Sequence, residues 1–176
     1  MPRRDDEEFV AFATASRDRL RRTAYLMCGD WHRASDLAQE ALIRVYVAWP
    51  RLERRGGLAA YARRAVVSAA IDASRRKSHG ELATGDAPDR ASAQDLAGHV
   101  TERAAVVQAL AGLPPRQRAC VVLRYYEDLP VAEVAALLGV NEGTVKSQTA
   151  RALATLKTVI GSGTDDELAV SGQGGR

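Results

Sequence analysis

One stretch, LPVAEVAALLGVNEGTVKSQTARALATL at residues 129–156, narrows what this chain can fold into more than any other. Val131, Val134, Ala135 and Leu138 recur at helical spacing, Gly139 interrupts them, and Asn141 offers a side-chain oxygen to cap a second helix. The pattern is helix, tight turn, helix. At about 100° per residue, Val145, Thr149, Ala152 and Leu156 of the second helix fall on one side, with Lys146, Ser147, Ala150 and Arg151 roughly opposite. The first set can pack and the second can touch a partner. A cation near the helix start and Arg151 a turn later suit a helix laid in the DNA major groove, where both side chains reach phosphate or guanine. The same residues also allow a plain αα-hairpin with a solvated outer face.

Upstream, Asp5 and Asp6 favour a helix start, and Phe9, Phe12, Ala13, Leu20, Ala24 and Met27 then form a helical stripe up to Gly29. Asp30 caps a second helix that runs from Trp31 to Trp49 and is expected to end at Pro50. Its broad apolar face is Leu37, Ala38, Ala41, Leu42, Val45, Ala48 and Trp49. A separate stripe holds Asp36, Glu40, Ile43 and Val47, flanked by Gln39 and Arg44. A stripe mixing acids with branched apolar residues fits a protein partner, or else packing of Ile43 and Val47 on a neighbouring helix. RLERRGG at residues 51–57 is a basic, glycine-ended loop. A third helix spans about residues 58–77. Leu58, Ala62, Ala65, Val66, Ala69 and Ala73 face inward, while Tyr61, Arg64, Ser68 and Arg75 line one flank, ending in Arg75, Arg76 and Lys77. An aromatic ring and guanidinium groups in a row suit a single nucleic-acid strand, although solvated charge or a core Tyr61 would look the same.

Residues 78–99, rich in Gly, Ala, Ser, Asp and Pro without periodicity, read as a flexible acidic tether. A helix from Val100, with Ala104, Val107, Ala109 and Leu110 inward, ends at Gly112 and Pro114. Pro115 then opens a helix whose Cys120, Val121, Val122 and Leu123 form a nearly continuous apolar run. Such a run needs cover on several sides, which the helix–turn–helix pair supplies. Residues 161–176 read as a loose acidic tail.

The net charge of +3 hides a partition. Residues 1–78 hold 16 Lys and Arg against 10 acids, and residues 100–160 hold 7 against 5; residues 79–99 hold 1 against 4, and residues 161–176 hold 1 against 3. Two basic lobes flank an acidic connector, pointing to a polyanion partner. No apolar run approaches the roughly 18 residues of a membrane span, and the N-terminus MPRRDDEEF lacks an apolar signal core, so a cytoplasmic protein without a membrane partner is expected. Cys28 and Cys120 read as reduced, buried thiols. Cys28 and His32 share i, i+4 spacing, but no further ligands stand near, and no metal or other cofactor is expected.

Three motifs thus occur in order: DLAQEALIRVYVAW (36–49), YARRAVVSAAIDASRR (61–76), and LPPRQRACVVLRYYEDLPVAEVAALLGVNEGTVKSQTARALATL (113–156). Together they resemble the extracytoplasmic-function sigma factors of bacterial RNA polymerase, most like an actinobacterial branch, over roughly residues 9–160. The resemblance implies that the N-terminal lobe grips the clamp helices of the largest polymerase subunit and opens the −10 promoter element. The C-terminal lobe is implied to read the −35 element and sit on the β-subunit flap. Carried over, the clamp-binding helix matches Asp36, Leu37, Gln39, Glu40 and Arg44, beside Ile43 and Val47 of the same stripe. The −10 loop matches residues 51–57, including Arg54 and Arg55. The strand-separating helix matches Tyr61, Arg64, Ser68, Asp72, Arg75 and Arg76, with Ser68 where the family usually has asparagine. The −35 helix matches Thr144, Lys146, Ser147, Gln148 and Arg151 behind the capping Asn141, and Ala150 is smaller than its usual counterpart.

The expected fold is all-α: two small helical domains, residues 1–78 and 100–160, joined by a flexible linker at 79–99, with the helix–turn–helix in the second and a tail at 161–176. The expected function is a sigma factor that binds core RNA polymerase and directs it to promoter DNA, not an enzyme. Whether an anti-sigma factor also binds is left open. Two rivals remain at this level: a stand-alone helix–turn–helix regulator, for which no strong dimerisation heptad is visible, and a small nuclease, for which Asp36 and Glu40 supply only one carboxylate pair.

Overall fold

The computed structural model describes residues 4–52, 57–78 and 97–170. Among them are seven α-helices and no strand: α1 (Arg4–Cys28), α2 (Trp31–Leu52), α3 (Leu58–Ser78), α4 (Ala97–Ala111), α5 (Pro115–Val121), α6 (Val131–Leu138) and α7 (Glu142–Val170). A π-helical turn, Val122–Tyr126, continues α5. The expected all-helical class is therefore the observed one.

The turn between α1 and α2 is built from three residues. Gly29 takes a φ of 74°, a region open to glycine, and its N–H donates to the Tyr25 carbonyl at 2.7 Å. Asp30 Oδ1 accepts from the Arg33 N–H at 2.7 Å, capping α2 as expected. Across the turn the Tyr25 and Trp31 rings stack at 3.9 Å, and the Arg21 guanidinium lies 4.9 Å from the Trp31 ring centre. The hairpin closes on α3 through Leu20, Ala24 and Met27 of α1, Leu37, Ala38, Ala41 and Val45 of α2, and Ala62, Ala65, Val66 and Ala69 of α3. So many alanines let the helix axes approach closely.

Pro50 does not stop α2, which runs on to Leu52. A proline forfeits one hydrogen bond, and in a last turn that loss is small enough for the helix to continue two residues. α4 begins at Ala97 rather than 100, and of its expected inward residues Ala104 is exposed, whereas Ala109 and Leu110 are buried. α5 opens on Pro115 as expected, and Cys120, Val121, Val122 and Leu123 are all buried. In the π-helical turn the Glu127 N–H reaches the Val122 carbonyl at 3.0 Å, and Asp128 follows with a φ of 54°. α7 extends to Val170, well past the expected start of a loose tail at residue 161. No proline lies between 142 and 170, and Gly161 and Gly163 each cost only about 1 kcal/mol in a helix. Residues 171–176 lie outside the described residues, as does the tether at 79–96.

Beyond the expected pair of domains, the two lobes share one hydrophobic core. The buried cluster runs from Leu20 and Val66 in the first lobe to Leu110, Leu123, Val134 and Ala152 in the second. α1 packs on α4 and α5, and α3 on α5 and α6. Val67 and Ala70, which lie off the expected inward stripe of α3, are buried too, because this helix is covered from a second side.

Candidate nucleic-acid interface

The orientation of α7 is set by the turn that precedes it, at both of its ends. Gly139 closes α6 in the left-handed region with a φ of 66°, and the Val140 N–H donates to the Ala135 carbonyl at 3.0 Å. Asn141 Oδ1 then accepts from the Thr144 N–H at 2.7 Å and from the Thr144 hydroxyl at 3.0 Å. With Val145 and Ala152 fully buried, α7 is clamped in rotation and presents Lys146, Ser147, Ala150 and Arg151 to the outside. The split read from periodicity is the observed one. Thr144 and Gln148 are only half-exposed, and the Asn141 oxygen is engaged in the cap, which leaves its amide nitrogen for a ligand.

In the N-terminal lobe, Arg64, Asp72, Arg75 and Arg76 are exposed along α3, with Tyr61 and Ser68 half-buried between them. Arg54 and Arg55 lie outside the described residues. On α2, Ile43 and Val47 are 57% and 77% exposed, so they do not pack on a neighbouring helix. Asp36, Gln39 and Arg44 are exposed beside them, Glu40 is half-buried and ion-paired to Arg44, and Leu37 is buried in the core. Tyr46 was not anticipated. It is 51% exposed, packs edge-on against Phe9 at 4.8 Å, and donates its hydroxyl to Asp6 at 3.3 Å. Being one position from Val45 and Val47, it sits between two stripes and periodicity assigned it to neither. Ile43, Arg44 and Val47 share an open cleft with Tyr61, which brings the α2 stripe and the α3 flank together.

A second arrangement had no signal in the sequence. Arg64, Ser68, Asp72 and Arg75 of α3 line one cavity with Thr144 and Gln148 of α7. Elsewhere between the lobes, Glu127 is buried and bonded to Arg19, Thr23 and Arg63. These partners are 64 to 108 residues away in sequence, beyond the reach of any local pattern. The Cys28 thiol donates to the Asp30 carbonyl at 3.2 Å, and burial pushes its pKa up. No group of three or more His, Cys, Asp or Glu side chains among the described residues is arranged to hold a metal. No helix among them is long and apolar enough to cross a membrane.

Comparison with known families places both lobes. Residues 12–80 match the model of sigma-70 region 2, and residues 103–156 that of sigma-70 region 4. The RNA polymerase sigma-E factor of Streptomyces avermitilis is 37% identical over 150 residues, 85% of this chain and 83% of its own. The chain belongs to the extracytoplasmic-function sigma factors. Its similarity extends to the sigma-E factor of Streptomyces coelicolor, at 35% identity over 85% of this chain and 84% of that one. The factor SigM of Mycobacterium tuberculosis is 34% identical over 81% of this chain and 71% of its own. The fold is that of the sigma factor RpoE of Bartonella quintana, solved with the anti-sigma factor NepR, at a TM-score of 0.68 and 21% identity over 88% of this chain and 97% of that one. As a sigma factor, the protein binds core RNA polymerase and directs it to promoters; members of this family are non-catalytic initiation factors.

Proposed function

We propose that this sigma factor divides its work among three helices. The α2 stripe of Asp36, Gln39, Glu40, Ile43, Arg44 and Val47 docks on the clamp helices of the largest polymerase subunit, with Leu37 holding the helix in the core behind it. The loop with Arg54 and Arg55 and the α3 flank of Tyr61, Arg64, Ser68, Asp72, Arg75 and Arg76 take the −10 element. Asn141, Thr144, Lys146, Ser147, Gln148 and Arg151 take the −35 element from the start of α7, and the C-terminal lobe rests on the β-subunit flap, to which α7 offers the exposed Leu153. The units follow from this division: residues 1–78 for core binding and melting, 79–99 as connector, 100–160 for −35 recognition, and the remainder as an extension. No cofactor and no catalysis by this chain is required, and the meeting with core polymerase is in the cytoplasm. An anti-sigma factor is a further proposed partner, as RpoE has in NepR.

The observation that carries this reading is the α2 stripe. Two branched apolar side chains in water beside a carboxylate are unfavourable for a free protein and are accounted for by a partner. Each lobe alone makes few phosphate contacts, so binding by free modules is weak and strongly salt-dependent; polymerase holding both lobes turns these contacts into one avid set. Glu40→Arg is expected to abolish co-migration with core polymerase and run-off transcription from a genomic promoter while leaving the melting temperature unchanged. Retained association would overturn the assignment of α2.

A further inference from the structure

One stripe of α3 faces a cavity whose chemistry is lopsided. Arg64, Ser68, Asp72 and Arg75 line it from α3, and Arg116 of α5 and Gln148 of α7 line it from the other side. Ile71 of α3 and Leu137 and Leu138 of α6 supply an apolar wall. The three arginines and Asp72 are exposed at the rim, whereas Ser68, Gln148 and the apolar side chains are half-buried. The cavity measures about 230 Å³, below the roughly 300–1,000 Å³ of sites that enclose drug-sized ligands. Its natural occupant is therefore of the size of a small metabolite.

Three arginines against one carboxylate leave these walls with positive charge in excess. Among the described residues, Arg64, Arg116 and Asp72 form no ion pair, so the excess is not neutralised within the walls. The charge of Arg116 is felt at the cavity floor: burial pushes the Cys120 thiol up, and Arg116 acts in the opposite direction. Cations held around one partly enclosed space repel one another, and a bound anion relieves that repulsion. The hydrogen-bonding groups point the same way. Each guanidinium carries five N–H donors and no acceptor, and Ser68 and Gln148 add a hydroxyl and an amide. An acceptor-rich anion satisfies them, and phosphate oxygens match the guanidinium fork. Arg64 and Arg75 stand three turns apart on α3, about 16 Å along its axis, which suits two separate anionic groups better than one. Asp72, an acceptor only, lies between them and suits a ligand hydroxyl. Ser68 stands where the family usually has asparagine, a larger side chain that would take up part of this space.

We propose that this cavity binds a small polyol carrying two phosphate groups, a ligand of the sugar bisphosphate class. Arg64 and Arg75 take one phosphate each at the rim, and Arg116 adds its charge from the opposite wall. Asp72 accepts from a hydroxyl of the carbon chain, and Leu137 and Leu138 cover its C–H face. Arg64, Arg75 and Gln148 are also the side chains assigned to promoter DNA, so ligand and DNA compete for them. That consequence rests on the proposed function; the binding itself does not.

The test is isothermal titration calorimetry of the full chain with fructose 1,6-bisphosphate as the probe, in a phosphate-free buffer at pH 7. A ligand of about 20 non-hydrogen atoms at ordinary efficiency binds with a Kd of about 10–100 µM. Fructose 6-phosphate, with one phosphate, binds at least about tenfold more weakly, and so does inorganic phosphate. Arg116→Gln, an exposed change outside the DNA-reading set, weakens the bisphosphate at least about tenfold. Ser68→Asn, which refills the cavity without altering charge, does the same. Arg103→Gln removes an exposed charge on α4 that does not line the cavity and leaves binding unchanged, which separates the site from general basicity. No binding at about 1 mM probe would overturn the proposal, and so would equal affinity for the mono- and bisphosphate or undiminished binding in both Arg116→Gln and Ser68→Asn. In fluorescence anisotropy with a promoter duplex, the bisphosphate at about ten times its Kd lowers the apparent affinity for the duplex about tenfold. Tight bisphosphate binding with no effect on the duplex would uphold the site and remove Arg64 and Arg75 from the −10 set.

Discussion

Asn141 caps α7 with its side-chain oxygen and leaves its amide nitrogen for the proposed −35 contact. Its oxygen is taken by the Thr144 N–H and hydroxyl, so its truncation removes a helix cap whatever it does to DNA. Asn141→Ala is expected to cost about 1 kcal/mol, a fall in melting temperature of about 2–4 °C for a chain of this size. Asn141→Asp keeps the capping oxygen but exchanges the amide nitrogen for a second acceptor. It is expected to melt like the wild type and to lose −35 affinity, measured on holoenzyme with a promoter duplex. Equal affinity of Asn141→Asp and wild type would remove Asn141 from the DNA-reading set. Gly139, at a φ of 66°, sets the same turn from the other side.

At the scale of the element, α2 carries two faces whose energetics differ. Val45 is fully buried and Val47 is 77% exposed, two residues apart on one helix. Val45→Ala opens space in the core and is expected to destabilise by about 2 kcal/mol. The double change Ile43→Ser with Val47→Ser touches no core contact and is expected to move stability by no more than about 0.5 kcal/mol, yet to weaken polymerase binding at least tenfold. Denaturant unfolding and polymerase pull-down separate the two effects. α7 makes a related point about length. The acidic composition predicts a loose tail from residue 161, but α7 runs on to Val170, because the helix penalty of Gly161 and Gly163 is modest and only proline would enforce a stop.

At the scale of the molecule, the contact between lobes makes closure sensitive to acid. Burial alone would push the Glu127 carboxyl up, but the Thr23 hydrogen bond, the charge and hydrogen bond of Arg19 and the charge of Arg63 together outweigh it and hold it below its ordinary 4.5. A carboxyl depressed in the closed state contributes its stabilisation in full above the ordinary value, and loses it as pH falls through the lower one. The charged groups facing Glu127 are Arg19 from α1 and Arg63 from α3. Scattering of the free protein is therefore expected to stay compact at pH 7 and to expand in a step below pH 4.5, with the step missing in Glu127→Gln. A step of equal size in Glu127→Gln would assign the transition to other carboxylates.

What the chain determined by itself is everything carried by neighbours along the helix. The 3.6-residue period, the cap at Asn141, the punctuation at Gly29 and Gly139 and the opposed faces of α2 and α7 were all legible, because each depends on residues at most four apart. The tertiary structure alone decided which face of α3 is covered twice, where Glu127 finds its partners, and that Thr144 and Ser68 share a cavity. Those outcomes join residues tens to more than a hundred positions apart, and a charged residue in a short segment such as YYEDLP looks the same whether water or another lobe will surround it. Periodicity says which side of a helix must be buried; only the assembled core says by what.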